Sequence, residues 1–120
     1  MQKHILIADD HTITRQIVKE ALSTALDIDD YQEAANGREA IERAEESKPD
    51  LIILDVSMPE MDGITAARHL KRCLPEVPII LFTMHDLGRD GARTFGVDAV
   101  VSKPDGLAKL SDEVQSLLHR

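Results

Sequence analysis

Five side chains suited to handling an anionic group are spread along this chain: the adjacent acids Asp9 and Asp10, then Asp55, Thr83 and Lys103. Asp9 follows Ile5-Leu6-Ile7-Ala8, Asp55 follows Leu51-Ile52-Ile53-Leu54, and Thr83 follows Ile79-Ile80-Leu81-Phe82. Lys103 comes two residues after Ala99-Val100-Val101. Taken singly, each Asp is most simply a helix N-cap or a loop residue. Brought together, three carboxylates repel one another, and at least one pKa rises unless a cation neutralises them. All-oxygen ligands on loops suit Mg²⁺, which takes a few carboxylates and keeps several waters. Lys103 adds a compact positive charge able to pair with a carboxylate or a phosphoryl oxygen, and Thr83 adds one O–H donor. Phosphoryl transfer needs charge neutralisation and in-line positioning more than covalent help from other side chains. A carboxylate can itself be the nucleophile, giving an aspartyl phosphate.

Whether these groups meet depends on the elements that carry them. The four apolar runs are short and bounded by acids, Pro or Gly, as in buried parallel strands; the third extends from Val77 to Phe82. A fifth, near Tyr31 to Ala35, contains Gln32 and Glu33 and suits a sheet edge. Helical spacing fills the intervals. Ile13, Ile17, Ala21 and Ala25 form one stripe with Val18, Leu22 and Leu26 beside it, and Ala40, Ile41 and Ala44 mark a second helix opened near Asn36-Gly37 and closed before Pro49. A third runs from Ile64 towards Leu74, a weak fourth spans Asp86 to Phe95, and a fifth carries Leu107, Leu110, Val114, Leu117 and Leu118. Strand and helix alternate five times, which predicts an α/β fold: a single doubly wound (βα)5 domain over residues 1–120, with a parallel sheet covered on both faces. In such sheets ligands bind outside the carboxyl ends of the strands. All five candidate residues follow strand ends, so the topology delivers them to one place.

Composition narrows the field. At 120 residues one core suffices without disulfides or a structural metal. Two Phe, one Tyr and no Trp leave little for stacking bases or a flat ring cofactor; a flavin protein on the same fold is disfavoured for that reason, and because strand one lacks a phosphate loop rich in Ser, Thr or Gly. A formal charge of −8 repels phosphate backbones and anionic lipid, so direct nucleic-acid binding and membrane association are not expected. No apolar run approaches the ~20 residues a membrane span needs. Cys73 stands alone, which excludes an intrachain disulfide and favours the cytoplasm. Cys73 reads as a half-buried packing residue and His11 as a solvated loop residue. The run Glu42-Arg43-Ala44-Glu45-Glu46 reads as a solvated helix face.

The Asp9-Asp10 pair, Asp55 within Asp55-Val56-Ser57-Met58-Pro59-Glu60-Met61-Asp62-Gly63, Thr83 after Ile79-Ile80-Leu81-Phe82, and Lys103-Pro104 together resemble the receiver domains of two-component response regulators over essentially the full length. The Asp55–Gly63 stretch and Thr83-Met84-His85-Asp86 look most like receivers joined to helix-turn-helix DNA-binding outputs. The resemblance implies a flavodoxin-like sheet of order 2-1-3-4-5 and a bacterial phosphorelay role. Asp55 would be the phospho-acceptor, fed by a sensor histidine kinase, a phosphotransfer protein or a small acyl phosphate. Asp10 would ligate Mg²⁺ directly and Asp9 mostly through water, with the Ser57 main-chain carbonyl and Asp55 completing the protein ligands. Thr83 and Lys103 would hold the phosphoryl oxygens, and the Lys103-Pro104 bond would be cis. Thr12, Ile13, Thr14 and Pro104 would lie where a kinase docks. Such a chain is a switch rather than a classical enzyme, with self-phosphorylation and slow autodephosphorylation as its only chemistry. Its output is a change in the face made by helix four, strand five and helix five. That face would act on a downstream protein, on a C-terminal output domain, or through a phosphorylation-dependent homodimer. The competing reading is a static interaction module of the same fold that is never phosphorylated.

Two positions, Val100 and Met84, depart from the common receiver pattern. Val100 replaces the usual aromatic three residues before the Lys, so switching must use backbone and helix movement. Met84 follows Thr83 and reads as packing at the helix-four boundary, or as a partial shield over Asp55. Ser57 and His85 occupy positions that tend to tune phosphate lifetime. Gly88 and Gly91 each weaken helix four by up to ~1 kcal/mol relative to Ala, which predicts a short, mobile element whose position or order shifts on phosphorylation. Amide exchange tests this: residues 86–94 should exchange quickly before phosphorylation, and strong protection there contradicts the expectation.

Overall fold

A computed structural model of the chain describes residues 3–119. Five strands form one parallel sheet: β1 (His4–Ala8), β2 (Asp30–Ala34), β3 (Leu51–Leu54), β4 (Ile79–Thr83) and β5 (Ala99–Ser102), in the order β2-β1-β3-β4-β5. Helices α1 (Thr12–Ala25), α2 (Gly37–Glu46), α3 (Gly63–Cys73), α4 (Gly91–Phe95) and α5 (Leu107–Leu118) connect and follow them, with a 3-10 turn at Lys103–Asp105. The order reverses at β1, which pairs with β2 on one side (Ile7 opposite Glu33) and with β3 on the other (Ile7 opposite Ile53). The flavodoxin-like order is the one the resemblance implies, and β2 takes the edge position its polar residues predict.

Alternation along the buried strands divides the core in two. Leu6, Ala8, Ile52, Leu54, Ile79 and Leu81 face α2 and α3. Ile5, Ile7, Leu51, Ile53, Ile80 and Phe82 face α1 and α5. The central strands are apolar on both sides because both sides are covered. Among the described residues no helix is long and apolar enough to cross a membrane.

The fold corrects several details. In α1 the sheet takes Val18 and Leu22, while Ile13 and Ile17 of the apolar stripe stand exposed at 74% and 45%. The stripe 13-17-21-25 and the buried pair are neighbouring faces of one helix, and only one of them meets the sheet. Helix four does not begin at Asp86: the segment before it is irregular, Gly88 takes φ +81°, and the helix is confined to Gly91–Phe95. A left-handed residue ends helical propagation, and here it keeps the first turn from forming. Cys73 is exposed, because α3 buries Gly63, Ala66, Ala67 and Leu70 and turns its last residue outward. Met84 is also exposed, at 67%, rather than packed at the α4 boundary.

Two glycines seat the loop between β3 and α3. Gly63 lies so close to the main chain of β3's end that a Cβ there would sit 1.9 Å from the Asp55 carbonyl oxygen, and its N–H donates to Val56 O at 2.9 Å. Gly37, at the start of α2, donates to Met61 O at 2.9 Å, and a Cβ there would meet that oxygen at 2.6 Å. Asn36 caps α2 by accepting from Glu39 N–H at 2.9 Å, and its amide donates to Glu60 Oε2 at 2.9 Å. Gly63→Ala should therefore destabilise by at least about 3 kcal/mol, the upper end for overpacking against backbone that cannot yield. Gly96→Ala, at φ +69° in open space, should lose only about 1 kcal/mol. Urea unfolding midpoints of the two variants check the contrast.

Candidate functional site: an acid pocket at the strand ends

The C-terminal ends of β1, β3, β4 and β5 converge on one pocket. Asp9 comes immediately after β1 and Asp55 immediately after β3, with only 3% and 6% of their surfaces exposed. Two buried carboxylates need a compensating charge, and Lys103, from the turn after β5, supplies it. Its Nζ donates to Asp9 Oδ2 at 2.8 Å and lies 3.5 Å from Asp55 Oδ2. The Phe82 ring lies beneath this ammonium, 5.8 Å from Nζ to the centroid, and adds a weak cation–π attraction. Lys103 reaches the acids through a trans Lys103-Pro104 bond, since no cis peptide occurs among the described residues. Pro104 sits in the first turn of the 3-10 helix, a place where fixed φ and a missing N–H are tolerated, so no cis bend is needed to aim the Lys.

Burial is the largest influence on Asp55 and pushes its pKa up; Lys103 opposes the rise and the Asp9 charge adds to it. Thr83, the last residue of β4, is fully buried, and its hydroxyl accepts from the His85 N–H at 3.0 Å. Asp9 also accepts from the His11 N–H at 2.9 Å. Asp9 is thus held by two donors, the Lys103 ammonium and the His11 N–H.

Next to the acids lies a cleft lined by Asp10, Ser57, Met58, Thr65, His85 and Leu87. Asp10 is exposed, unlike its neighbour Asp9. Ser57 Oγ and His85 Nε2 are 2.6 Å apart across the mouth. Met84 borders a separate hollow with Val100. His11 is exposed, but its Nδ1 is 3.3 Å from Asp9 Oδ1 and 3.2 Å from Asp10 Oδ1. It is held by the acid pair rather than merely solvated. Asp9, Asp55 and Lys103 meet directly, Thr83 closes the floor, and Asp10 and Ser57 stand at the rim.

Sequence reasoning missed the residues that hold this arrangement from outside: Gly63 against the Asp55 carbonyl, Gly37 against Met61, and the Asn36–Glu60 bond. Glu60 takes a left-handed φ of 64°, unusual for a residue with a side chain. The one sequence signal was Gly63 itself, a glycine opening an otherwise well-formed helix.

A family profile for the response regulator receiver domain matches residues 5–115. The chain is a receiver domain of the response regulator family. The response regulator protein VraR of Staphylococcus aureus is 35% identical over 113 residues, covering 92% of this chain and 54% of VraR. The chain thus spans about half the length of the curated relatives it matches. Among solved structures, the response regulator TrrA of Thermotoga maritima, in complex with Mg²⁺-BeF, superposes with TM-score 0.87 at 29% identity, covering 97% of this chain and 99% of that one. A LuxR-family two-component response regulator from Aurantimonas gives TM-score 0.86 at 27% identity, covering 99% and 86%. As a receiver domain the chain is a signalling protein of two-component systems rather than a classical enzyme.

The buried acid makes a prediction about stability. Because burial raises the Asp55 pKa in the fold, ionised Asp55 opposes folding at neutral pH. The penalty disappears below the unfolded carboxylate range, where the group is protonated in both states. Asp55→Asn should raise Tm at pH 7 by about 3–6 °C. That advantage should shrink towards zero as pH falls through the carboxylate range. A gain that persists unchanged at low pH in scanning calorimetry would contradict this cause.

Proposed function

We propose that Asp55 accepts a phosphoryl group and that the receiver domain works as a phosphorylation-dependent switch. One observation carries this reading: a buried carboxylate whose pKa burial raises, with one ammonium 3.5 Å away, followed in the chain by Val56 and Ser57, which line an open cleft together with Asp10.

The donor set at the cleft fits Mg²⁺, being all oxygen and rich in negative charge. Asp10, Asp55 and the Ser57 carbonyl would hold the ion, and Asp9 would act mainly through water. Bound there, Mg²⁺ supplies charge neutralisation for the phosphoryl oxygens. The Mg²⁺-BeF complex of the Thermotoga relative supports the same chemistry here.

One Asp55 oxygen attacks phosphorus in line, a new O–P bond forms, and the bond from phosphorus to the donor breaks. The leaving electron pair stays on the donor's imidazole or carboxylate. Lys103 Nζ, already beside Asp55, pairs with a phosphoryl oxygen as the Asp55 charge is consumed. The Thr83 hydroxyl, which accepts from the His85 N–H, turns its own proton to another phosphoryl oxygen. That rotation ties occupancy of the site to the segment leading into α4. Val100 offers no bulky ring to follow Thr83, so the signal passes through backbone there. In this reading the phosphoryl donor is a sensor histidine kinase, a phosphotransfer protein or a small acyl phosphate. It docks near exposed Thr12, Ile13 and Pro104 and half-buried Thr14, and the chain acts in the cytoplasm. The output is a partner protein or a further domain, as the twofold length of the relatives suggests.

Intact mass after incubation with Mg²⁺ and acetyl phosphate tests the proposal. Wild type should gain one phosphoryl group (about 80 Da from its atomic composition), only with Mg²⁺ present, and Asp55→Ala should gain none. Absence of any adduct in wild type would favour a static interaction module on the same fold.

A further inference from the structure

A second cluster of ligating side chains lies away from the acid pocket. Glu45, in the last turn of α2, and His69 and Cys73, one turn apart on α3, bring a carboxylate oxygen, an imidazole nitrogen and the chain's single thiol within 4.8 Å of one another. Cys73 Sγ is 3.5 Å from His69 Nε2, and His69 Nε2 is 3.8 Å from Glu45 Oε2. The second distance is too long for a hydrogen bond. The thiol and the imidazole are within sulfur hydrogen-bonding distance, and the Glu45 carboxylate stands just beyond bonding reach.

We propose that Glu45, His69 and Cys73 form a binding site for a borderline divalent cation, Zn²⁺ foremost, that bridges α2 and α3. Ligand bonds of about 2.3 Å to sulfur and 2.0–2.1 Å to nitrogen place tetrahedral S and N ligands about 3.5 Å apart, and N and O ligands about 3.4 Å apart. The first separation is already met, and an exposed Glu side chain closes the second by rotation. Three protein ligands leave a fourth position for water, as in open zinc sites. Thiolate and carboxylate together balance the charge of the ion, and imidazole adds a neutral donor. With Nε2 as ligand, the ring proton resides on Nδ1.

The backbone adds to the attraction. α2 ends at Glu46 and α3 at Cys73, so both helices direct the negative ends of their dipoles to this seam, where a cation is favoured. The soft thiolate separates this site from the acid pocket, whose hard oxygens suit Mg²⁺. Distance separates them as well: α3 begins at Gly63 beside Asp55 and runs its 11 residues, roughly 16 Å at 1.5 Å per residue, before reaching Cys73. An ion here would tie together the ends of two helices whose beginnings brace the Asp55 loop.

Cobalt(II) serves as the spectroscopic probe, titrated into the 120-residue chain in excess Mg²⁺ with a phosphine reductant in place of thiols. Wild type should develop a thiolate-to-cobalt charge-transfer absorption that saturates at one equivalent per chain and is bleached by Zn²⁺. Cys73→Ala should abolish the band, while His69→Ala and Glu45→Gln should each weaken Co²⁺ binding at least about tenfold, the low end of what losing even an outer-shell partner costs. Three results would overturn the site: no band at millimolar Co²⁺, wild-type affinity in both His69→Ala and Glu45→Gln, or saturation at one ion per two chains. All three substitutions fall on exposed or half-buried side chains, and mass gain with acetyl phosphate in each variant verifies that the fold and the acid pocket survive.

Discussion

A single ammonium shared by two buried carboxylates governs the construction of this domain. Burying Asp9 and Asp55 side by side is unfavourable unless a cation is buried with them, and Lys103 is that cation, at 2.8 Å from one and 3.5 Å from the other. The three residues are 46 and 48 positions apart along the chain. They meet because β1, β3 and β5 lie in one parallel sheet and end on the same side. One positive charge against two negative ones leaves the pocket short of cation. That deficit is what the proposed Mg²⁺ and phosphoryl chemistry would draw on.

The rest of the structure keeps that deficit from being relieved by collapse or by solvent. The apolar strands beneath the pocket are buried on both faces, so the strand ends are fixed in place. The loop after Asp55 is held by main-chain contacts that only glycine permits, at Gly63 and Gly37, and by the Asn36–Glu60 bond. By contrast, the segment after Thr83 has few restraints: Met84, His85 and Asp86 are exposed, Gly88 is left-handed, and α4 is five residues long. The pocket is thus braced by main-chain contacts on its α3 side and bordered by an irregular, exposed segment on its α4 side.

Much of the site was legible in the chain because parallel α/β topology converts position in sequence into position in space. A polar residue directly after a buried strand must lie at the sheet's carboxyl edge, so Asp9, Asp55, Thr83 and Lys103 were recognisable from their apolar prefixes. What failed was orientation around a helix axis. The 13-17-21-25 stripe and the Val18–Leu22 face of α1 are both apolar, and periodicity cannot tell which one the sheet covers. The exposure of Cys73 and Met84 was misjudged for the same reason, as apolar character does not establish contact.

Strand and helix alternation, the polar edge strand and the residue types of the acid pocket were determined by the sequence alone, because each rests on local periodicity and on the chemistry of single side chains. Tertiary structure decided the rest. It set the trans Lys103-Pro104 bond, the shortening of α4, the bracing of the Asp55 loop by Gly37 and Gly63, and the meeting of Glu45 with His69 and Cys73. Each of these depends on how close two separately folded segments come. A distance between backbones is a property of packing, which no pattern within either segment records.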